Sequence, residues 1–145
     1  MGDHENSPGK LGQQDVDTVL AGYQCWNSGD LKGLADLFAD DITYQNAPEW
    51  PGQRVYNGSA AVTSFLEEEV AKIIALRPVE IIHTDTIGSD ILIELQARTR
   101  GFLSGLDIED VTLFHVASMD EGKVSRVRVY LNRDEAVRAA ETGTG

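Results

Sequence analysis

The fold is decided by residues 26–48, WNSGDLKGLADLFADDITYQNAP. Asn27-Ser28-Gly29 predicts the end of one helix, and Asp30 is placed to cap the next one with its side-chain oxygen. Asp40-Asp41 predicts the end of this second helix, and the β-branched and aromatic residues of 42–47 then predict a short strand. Between these signals the apolar residues three or four positions apart predict the buried side of the second helix: Leu31, Leu34, Leu37 and Phe38.

Two further helices flank this segment. The one before it starts at Asp15, and the one after it opens at Asn57-Gly58-Ser59 and is predicted to end at Pro78, because proline disfavours helix in the residue before it. Residues 48–52, PEWPG, predict a loop near an exposed mouth. The first helix has one apolar face, made by Val16, Val19, Leu20, Tyr23 and Trp26.

The second half of the chain is dominated by extended segments. Val79–Thr86, Asp90–Phe102, Leu106–Ser118 and Lys123–Leu131 predict strands, the last two joined by a turn at 119–122. Asp134–Ala140 predicts a closing helical turn. Helices followed by long strands predict an α+β fold, with three N-terminal helices packed against one face of a curved, mainly antiparallel sheet.

The chain length of 145 residues suits one domain, expected at 15–140, with disordered tails at 1–14 and 141–145. A formal net charge of −12 opposes binding to nucleic acid or anionic membranes. No signal peptide or membrane span is predicted, so the expected location is the cytoplasm. Cys25 is the single cysteine and the histidines lack metal-motif spacing, so neither a metal site nor a cofactor is expected.

Residues 26–48 resemble the nuclear transport factor 2-like superfamily, which includes ketosteroid isomerases, limonene and polyether epoxide hydrolases and SnoaL-like polyketide cyclases. The matching features are Gly29-Asp30-Leu31, Leu37-Phe38, Tyr56-x-Gly58, and the final segment 120–131, which looks most like SnoaL-like proteins. The resemblance extends over residues 16–140. It implies a cone-shaped, cystatin-like roll with a central pocket for a small molecule, and a homodimer formed through the sheet.

The catalytic positions of these families match only in part. Tyr44, Asn46, His83 and Arg98 resemble residues of limonene epoxide hydrolases, in which tyrosine and asparagine hold the attacking water. Carboxylates of the families are replaced, however. Asn46 and Phe114 stand where ketosteroid isomerases have carboxylates. Arg100 and Val129 stand where limonene epoxide hydrolases have aspartates. Val129 also replaces the acid/base aspartate of SnoaL-like cyclases.

Side chains alternate along a strand, so Arg98 and Arg100 share one side of theirs. In the epoxide hydrolase register both point into the cone and form a cationic pocket suited to an anionic substrate or a developing oxyanion. In the alternative, this polar face lies in water or at a dimer surface. The candidate catalytic residues are Arg98, Asn46, Tyr44 and His83, and the candidate ligand-binding residues are Arg100, Trp50, Trp26, Val129 and Leu113.

These observations leave three hypotheses about function. The first is a SnoaL-like domain that binds a small organic molecule and acts as a cofactor-independent isomerase, cyclase or hydrolase. The second is a non-catalytic ligand-binding or scaffold protein that has lost the family carboxylates. The third is an epoxide hydrolase with a rearranged carboxylate, at Glu67 or Glu94. Whether the protein is an enzyme is left open.

Overall fold

The computed structural model describes residues 12–50, 52–99 and 108–142, without the side chains of residues 73–77. Helix α1 (Gln13–Ser28) ends at Gly29, whose φ of 80° lies in the left-handed region that favours glycine. Helix α2 (Leu31–Asp36) is capped as predicted, because Oδ1 of Asp30 accepts a hydrogen bond of 2.9 Å from the N–H of Gly33.

One curved, open sheet has six strands in the order β2-β1-β6-β5-β4-β3. Their bounds are Phe38–Gln45 for β1, Val55–Asn57 for β2, Ile74–Ile87 for β3, Asp90–Thr99 for β4, Glu109–Asp120 for β5 and Lys123–Tyr130 for β6. Strand β1 pairs in parallel with β6, and the other neighbours are antiparallel. The predicted α+β architecture is confirmed.

Two boundaries near β1 differ from the prediction. The strand begins at Phe38 instead of Ile42, because Phe38 already pairs with Val124 of β6. Phe38 was predicted on the buried side of the second helix from its spacing, and it belongs to β1 instead. Strand β2 was not predicted. It is three residues long, and its register on β1 brings Tyr56 opposite Tyr44.

The third helical region is shorter than predicted. Helix α3 (Ser59–Phe65) continues through a π-helical turn (Leu66–Val70) into α4 (Ala71–Ile73), and β3 then begins before Pro78. The prediction that Pro78 ends a helix is therefore wrong. Strand β3 lies at an edge of the sheet, where a residue without an N–H donor is tolerated.

The N-terminal helices cover one face of the sheet, which we call the inner face. Helix α1 is fixed to β3 by Asn27, whose Nδ2 donates to the carbonyl oxygen of Val79 over 3.1 Å while its Oδ1 accepts from the N–H of Val79 over 2.8 Å. The amide thus satisfies both backbone groups of a residue on an edge strand.

The predicted closing turn is a full helix, α5 (Arg133–Thr142), and it packs on the opposite, outer face. The fold prediction concerned the three N-terminal helices and did not place this last helix. It packs on the outer face because alternate residues of β4 and β5 form a second apolar surface there. Leu92, Phe114 and Val116 of this surface pack against Ala136 and Ala140 of α5.

The ends of the domain also extend beyond the predicted limits. Helix α1 starts two residues before Asp15, and α5 continues to Thr142. The disorder predicted for 1–11 and 143–145 concerns residues outside the described part of the chain.

Candidate functional site

A cavity of about 130 Å³ lies between the inner face of the sheet, α1, α2 and the π-helical turn. This is close to the size of apolar protein cavities of about 150 Å³ that take up benzene. Its lining is mostly apolar, and includes Val19, Trp26, Leu34, Phe38, Leu66, Val70, Leu95, Ala97, Leu113, Ala117, Val124, Val127 and Val129. Such a volume suits a molecule built around a single small ring system.

The lining includes a polar pair formed by Tyr23 of α1 and His115 of β5. The Tyr23 hydroxyl oxygen lies 2.7 Å from Nδ1 of His115, and the two rings stack with their centroids 5.8 Å apart. Burial lowers the pKa of His115 to about 4. Burial, and secondarily the neighbouring Tyr44, raises the pKa of Tyr23. Both side chains are therefore uncharged at neutral pH.

Tyr44 and Asn46, two of the predicted catalytic residues, both line the cavity at the end of β1. Burial raises the pKa of Tyr44, so this phenol is also neutral. Nδ2 of Asn46 donates to the carbonyl oxygen of Gln53 over 2.9 Å. Its backbone N–H donates to the carbonyl oxygen of Arg54 over 2.8 Å, and Nε of Arg54 donates to the carbonyl oxygen of Asn46 over 2.8 Å. Asn46 therefore closes the loop after β1.

Both tryptophans lie where ligand contact was predicted. Trp26 and Trp50 line the cavity, as do Leu113 and Val129. The Trp50 ring meets the edge of Phe65 at a centroid distance of 6.1 Å, which seats the loop after β1 on α3. The chemical roles predicted for these residues stay predictions.

The predicted direction of Arg98 is wrong. Leu95 and Ala97 line the cavity, so the side chains of residues 96 and 98 point to the outer face. There, Nε of Arg98 pairs with Oδ1 of Asp110 at 3.0 Å, and both side chains are about half exposed (49% and 50%). The structure therefore agrees with the alternative prediction, in which the polar face of β4 lies in water.

The other predicted polar groups do not join the site. His83 is exposed and lies opposite Glu94 on the outer side of the β3–β4 pair, and it is not part of the cavity lining. Arg100 lies outside the described residues. Among the described residues that line the cavity, none carries a formal charge at neutral pH, so the predicted cationic pocket does not form from them.

Tyr23 and His115 were absent from the predicted site, although the sequence carried a signal for each. His115 is two residues from Leu113, so the prediction that Leu113 contacts ligand also directs His115 into the cavity. Tyr23 belongs to the apolar stripe of α1 together with Trp26.

The carboxylates proposed for a rearranged epoxide hydrolase also lie outside the cavity. Glu67 is exposed on the π-helical turn, and Glu94 is on the outer face of β4. Over residues 12–50, 52–99 and 108–142, no group of three or more His, Cys, Asp or Glu side chains is arranged to hold a metal ion. No helix in the described part of the chain is both long enough and apolar enough to cross a membrane.

Comparisons with known proteins agree with this architecture. The family model described as a SnoaL-like domain matches residues 19–127. No curated protein shows a significant match to the sequence.

Several solved structures share the fold at low sequence identity. An NTF2-like protein of unknown function from Burkholderia pseudomallei aligns with a TM-score of 0.69 and 16% identity, over 86% of this chain and 95% of that one. RV0760c from Mycobacterium tuberculosis, in complex with estradiol-17beta-hemisuccinate, aligns with a TM-score of 0.64 and 19% identity, over 83% and 95%. SalBIII, an epoxide hydrolase/cyclase-like enzyme with a role in pyran ring formation in the polyether salinomycin, aligns with a TM-score of 0.65 and 20% identity, over 84% and 93%.

Proposed function

The chain belongs to the SnoaL-like domain family, and from this premise we propose that its cavity binds a neutral, mainly apolar small organic molecule with one polar group. The observation that carries the proposal is the chemistry of the lining. Apolar and aromatic side chains make up most of the lining, and it includes one pair of side chains hydrogen-bonded to each other across the fold, Tyr23 and His115, both uncharged at neutral pH. A few convergent polar groups in an apolar pocket are typical of small-molecule sites.

The lining should favour neutral ligands over ionised ones. An ionised ligand would lose its hydration on entering the cavity without gaining a counter-charge from the described lining residues, and such burial costs several kcal/mol. A neutral hydroxyl or carbonyl group can instead hydrogen-bond to Tyr23 or His115. We therefore propose a neutral ligand in place of the anionic substrate expected from Arg98 and Arg100.

The relatives support the coarser statement that the cavity takes a small organic molecule. RV0760c was solved with a steroid ester, and SalBIII takes part in forming a pyran ring. The hemisuccinate carries a carboxylate, so RV0760c supports an organic ligand and not the neutrality proposed here. At the identities found, they support the general class of ligand and leave its identity open.

Intrinsic fluorescence provides a direct test, because the chain has two tryptophans and both line the cavity. We expect p-cresol, which is neutral at pH 7, to change the tryptophan emission in a saturable way. The ionised p-toluate, which has nearly the same shape, should bind at least ~10-fold more weakly, equivalent to about 1.4 kcal/mol.

Two variants identify the source of the signal. Trp26→Phe and Trp50→Phe should each remove part of the emission change, because each leaves one tryptophan beside the ligand. Equal affinity for p-cresol and p-toluate, or no saturable response to a panel of neutral one-ring and two-ring compounds, would contradict the proposed function.

The sheet-mediated homodimer and the cytoplasmic location stay predictions. Part of the outer face is already covered by α5, so a dimer through the sheet would use the polar strip of Glu94, Gln96, Arg98, Asp110 and Thr112. Light scattering coupled to size-exclusion chromatography would measure the mass in solution. A mass near 15.8 kDa at every concentration would contradict the dimer.

A further inference from the structure

We propose that the outer face of the sheet carries a second binding site, for the phosphate group of a small molecule, formed by Arg126 of β6 with Thr43 and Gln45 of β1. This site is on the opposite side of the sheet from the cavity. It takes an anion, whereas the cavity is proposed to take a neutral molecule, so the two proposals stand or fall separately.

The register of β1 and β6 brings the polar side chains of the site together. Val127 lines the cavity, so its neighbours Arg126 and Arg128 point to the outer face. Thr43 and Gln45 point outward for the same reason, because the residue between them lines the cavity. Arg126 lies opposite Thr43, and Arg128 lies opposite Gln45. Neighbouring strands are about 4.8 Å apart, so these four residues form one surface, which we call the basic patch.

The basic patch holds more positive than negative charge. Asp90 is its carboxylate neighbour, and both oxygens of that group are engaged. Oδ2 of Asp90 accepts from Nη2 of Arg128 over 2.9 Å, and Oδ1 accepts from the hydroxyl of Ser118 over 2.8 Å. Over residues 12–50, 52–99 and 108–142, no carboxylate oxygen lies within 4.0 Å of the Arg126 guanidinium. Asp90 therefore balances one of the two arginines.

The surroundings of Arg126 favour an added anion. Arg126 is half-buried, and this burial, together with the neighbouring charge of Arg128, lowers the pKa of its guanidinium. Thr43 and Gln45 are also half-buried, and neither side chain hydrogen-bonds to another of the residues that the structure describes. An oxyanion that accepts hydrogen bonds from all three groups would replace the water that burial removes from them.

A phosphate group suits these donors better than a carboxylate does. The planar guanidinium of Arg126 can donate to two oxygen atoms of either group. A phosphate then has further oxygen atoms for the hydroxyl of Thr43 and the amide of Gln45, whereas both oxygens of a carboxylate are already used. The net charge of −12 opposes the binding of long polyanions, so the ligand is a small phosphorylated molecule and not a nucleic acid.

Inorganic phosphate is the probe for this site, and two-dimensional NMR of the full chain shows where it binds. At pH 7 and constant ionic strength, phosphate that replaces chloride should shift the Nε–H signal of Arg126 and the backbone amide signals of Thr43 and Gln45 in a saturable way. Acetate should bind at least ~10-fold more weakly, because it lacks oxygen atoms for the hydroxyl and amide donors.

Matched variants on the outer face identify the residues responsible. Arg126→Gln should weaken phosphate binding by at least ~10-fold, because it removes the charged donor. Arg98→Gln changes the outer-face arginine that already pairs with Asp110 and should retain the wild-type affinity. Thr43→Val keeps the β-branched shape without the hydroxyl and should weaken binding by about 5-fold. Thr112→Val makes the same change at an exposed position of β5 and should have no effect.

Three results would overturn the phosphate site. Shifts that do not saturate would mean that phosphate acts only as a screening ion. Unchanged phosphate affinity in both Arg126→Gln and Thr43→Val would place the bound phosphate elsewhere. Acetate that binds as tightly as phosphate would contradict the assignment of the ligand class. None of these results bears on the cavity, which is tested separately by p-cresol.

Discussion

Asp90 and Arg128 form an ion pair of 2.9 Å beneath α5, with the guanidinium fully buried. Oδ1 of Asp90 also accepts from the hydroxyl of Ser118 over 2.8 Å, and Nη1 of Arg128 donates over 3.4 Å to the carbonyl oxygen of Ala139 in the last turn of α5. The pair joins β4 and β6 to the C-terminal end of that helix, where a cation is favourable.

Replacing Asp90 by Asn should lower the free energy of unfolding by about 3 kcal/mol, because it removes the negative charge that lies 2.9 Å from the buried guanidinium of Arg128. The matched change Asp110→Asn breaks the half-exposed pair with Arg98 and should cost no more than about 1 kcal/mol. Urea denaturation of the variants provides the comparison. Equal losses from the two substitutions would show that burial of the first pair has no energetic consequence.

Stability should fall with acidification as His115 is protonated. Its pKa is lowered to about 4 in the folded protein and is about 6.5 when the chain is unfolded, so the unfolded chain takes up the proton first. The contribution is fully present above pH 6.5 and is lost as the pH falls towards 4, reaching up to about 3 kcal/mol.

The difference between wild type and His115→Gln isolates this effect from the titration of the carboxylates. Unfolding free energies of both proteins measured from pH 4 to pH 8 should diverge through this window, with the wild type losing more. Parallel curves would mean that His115 is accessible to water and titrates normally.

A larger side chain in the cavity should weaken ligand binding without lowering the stability of the fold. Ala97→Leu places a larger apolar side chain in the cavity, so p-cresol should bind at least ~10-fold more weakly while the unfolding free energy is unchanged or rises by about 1 kcal/mol. Gln96→Leu, on the other side of the same strand, should leave binding unchanged. Unchanged affinity in Ala97→Leu would place the ligand elsewhere.

Two tyrosine substitutions should have opposite effects on stability. Tyr23→Phe removes the hydroxyl that pairs with His115 and should cost about 1 kcal/mol. The hydroxyl of Tyr130 is buried with no hydrogen-bond partner among the described residues, so Tyr130→Phe should be neutral or stabilise by up to about 1 kcal/mol. Thermal denaturation of the wild type and both variants measures their relative stabilities. Destabilisation by Tyr130→Phe would indicate that a water molecule hydrogen-bonds to the Tyr130 hydroxyl.

Local chemistry made much of the fold predictable. Gly29 and Asp30 act at the positions where their backbone and side-chain preferences put them, and the long strands follow from their composition. Pro78 was misleading because its tolerance in a strand depends on that strand being at an edge. That position is a property of the whole sheet and is not encoded near the proline.

The site was less predictable than the fold. Alternation along β4 places Leu95 and Ala97 on one face of the sheet and Gln96 and Arg98 on the other. It does not determine which of these two faces is covered by the N-terminal helices. The polar set was assigned to the cavity by resemblance to one family, and the structure has the apolar set there. Tyr23 and His115 are 92 positions apart, so their contact arises only when α1 lies across β5.

The sequence by itself determined the α+β class, the helix end at Gly29, the cap at Asp30 and the two-residue alternation of each strand, because these depend on neighbours a few positions apart. The tertiary structure alone decided which strand face encloses the cavity, that α5 covers the other face, and that the phenol of Tyr23 meets the imidazole of His115 in the cavity lining. Those outcomes depend on burying apolar surface between elements distant in sequence, which no local pattern specifies.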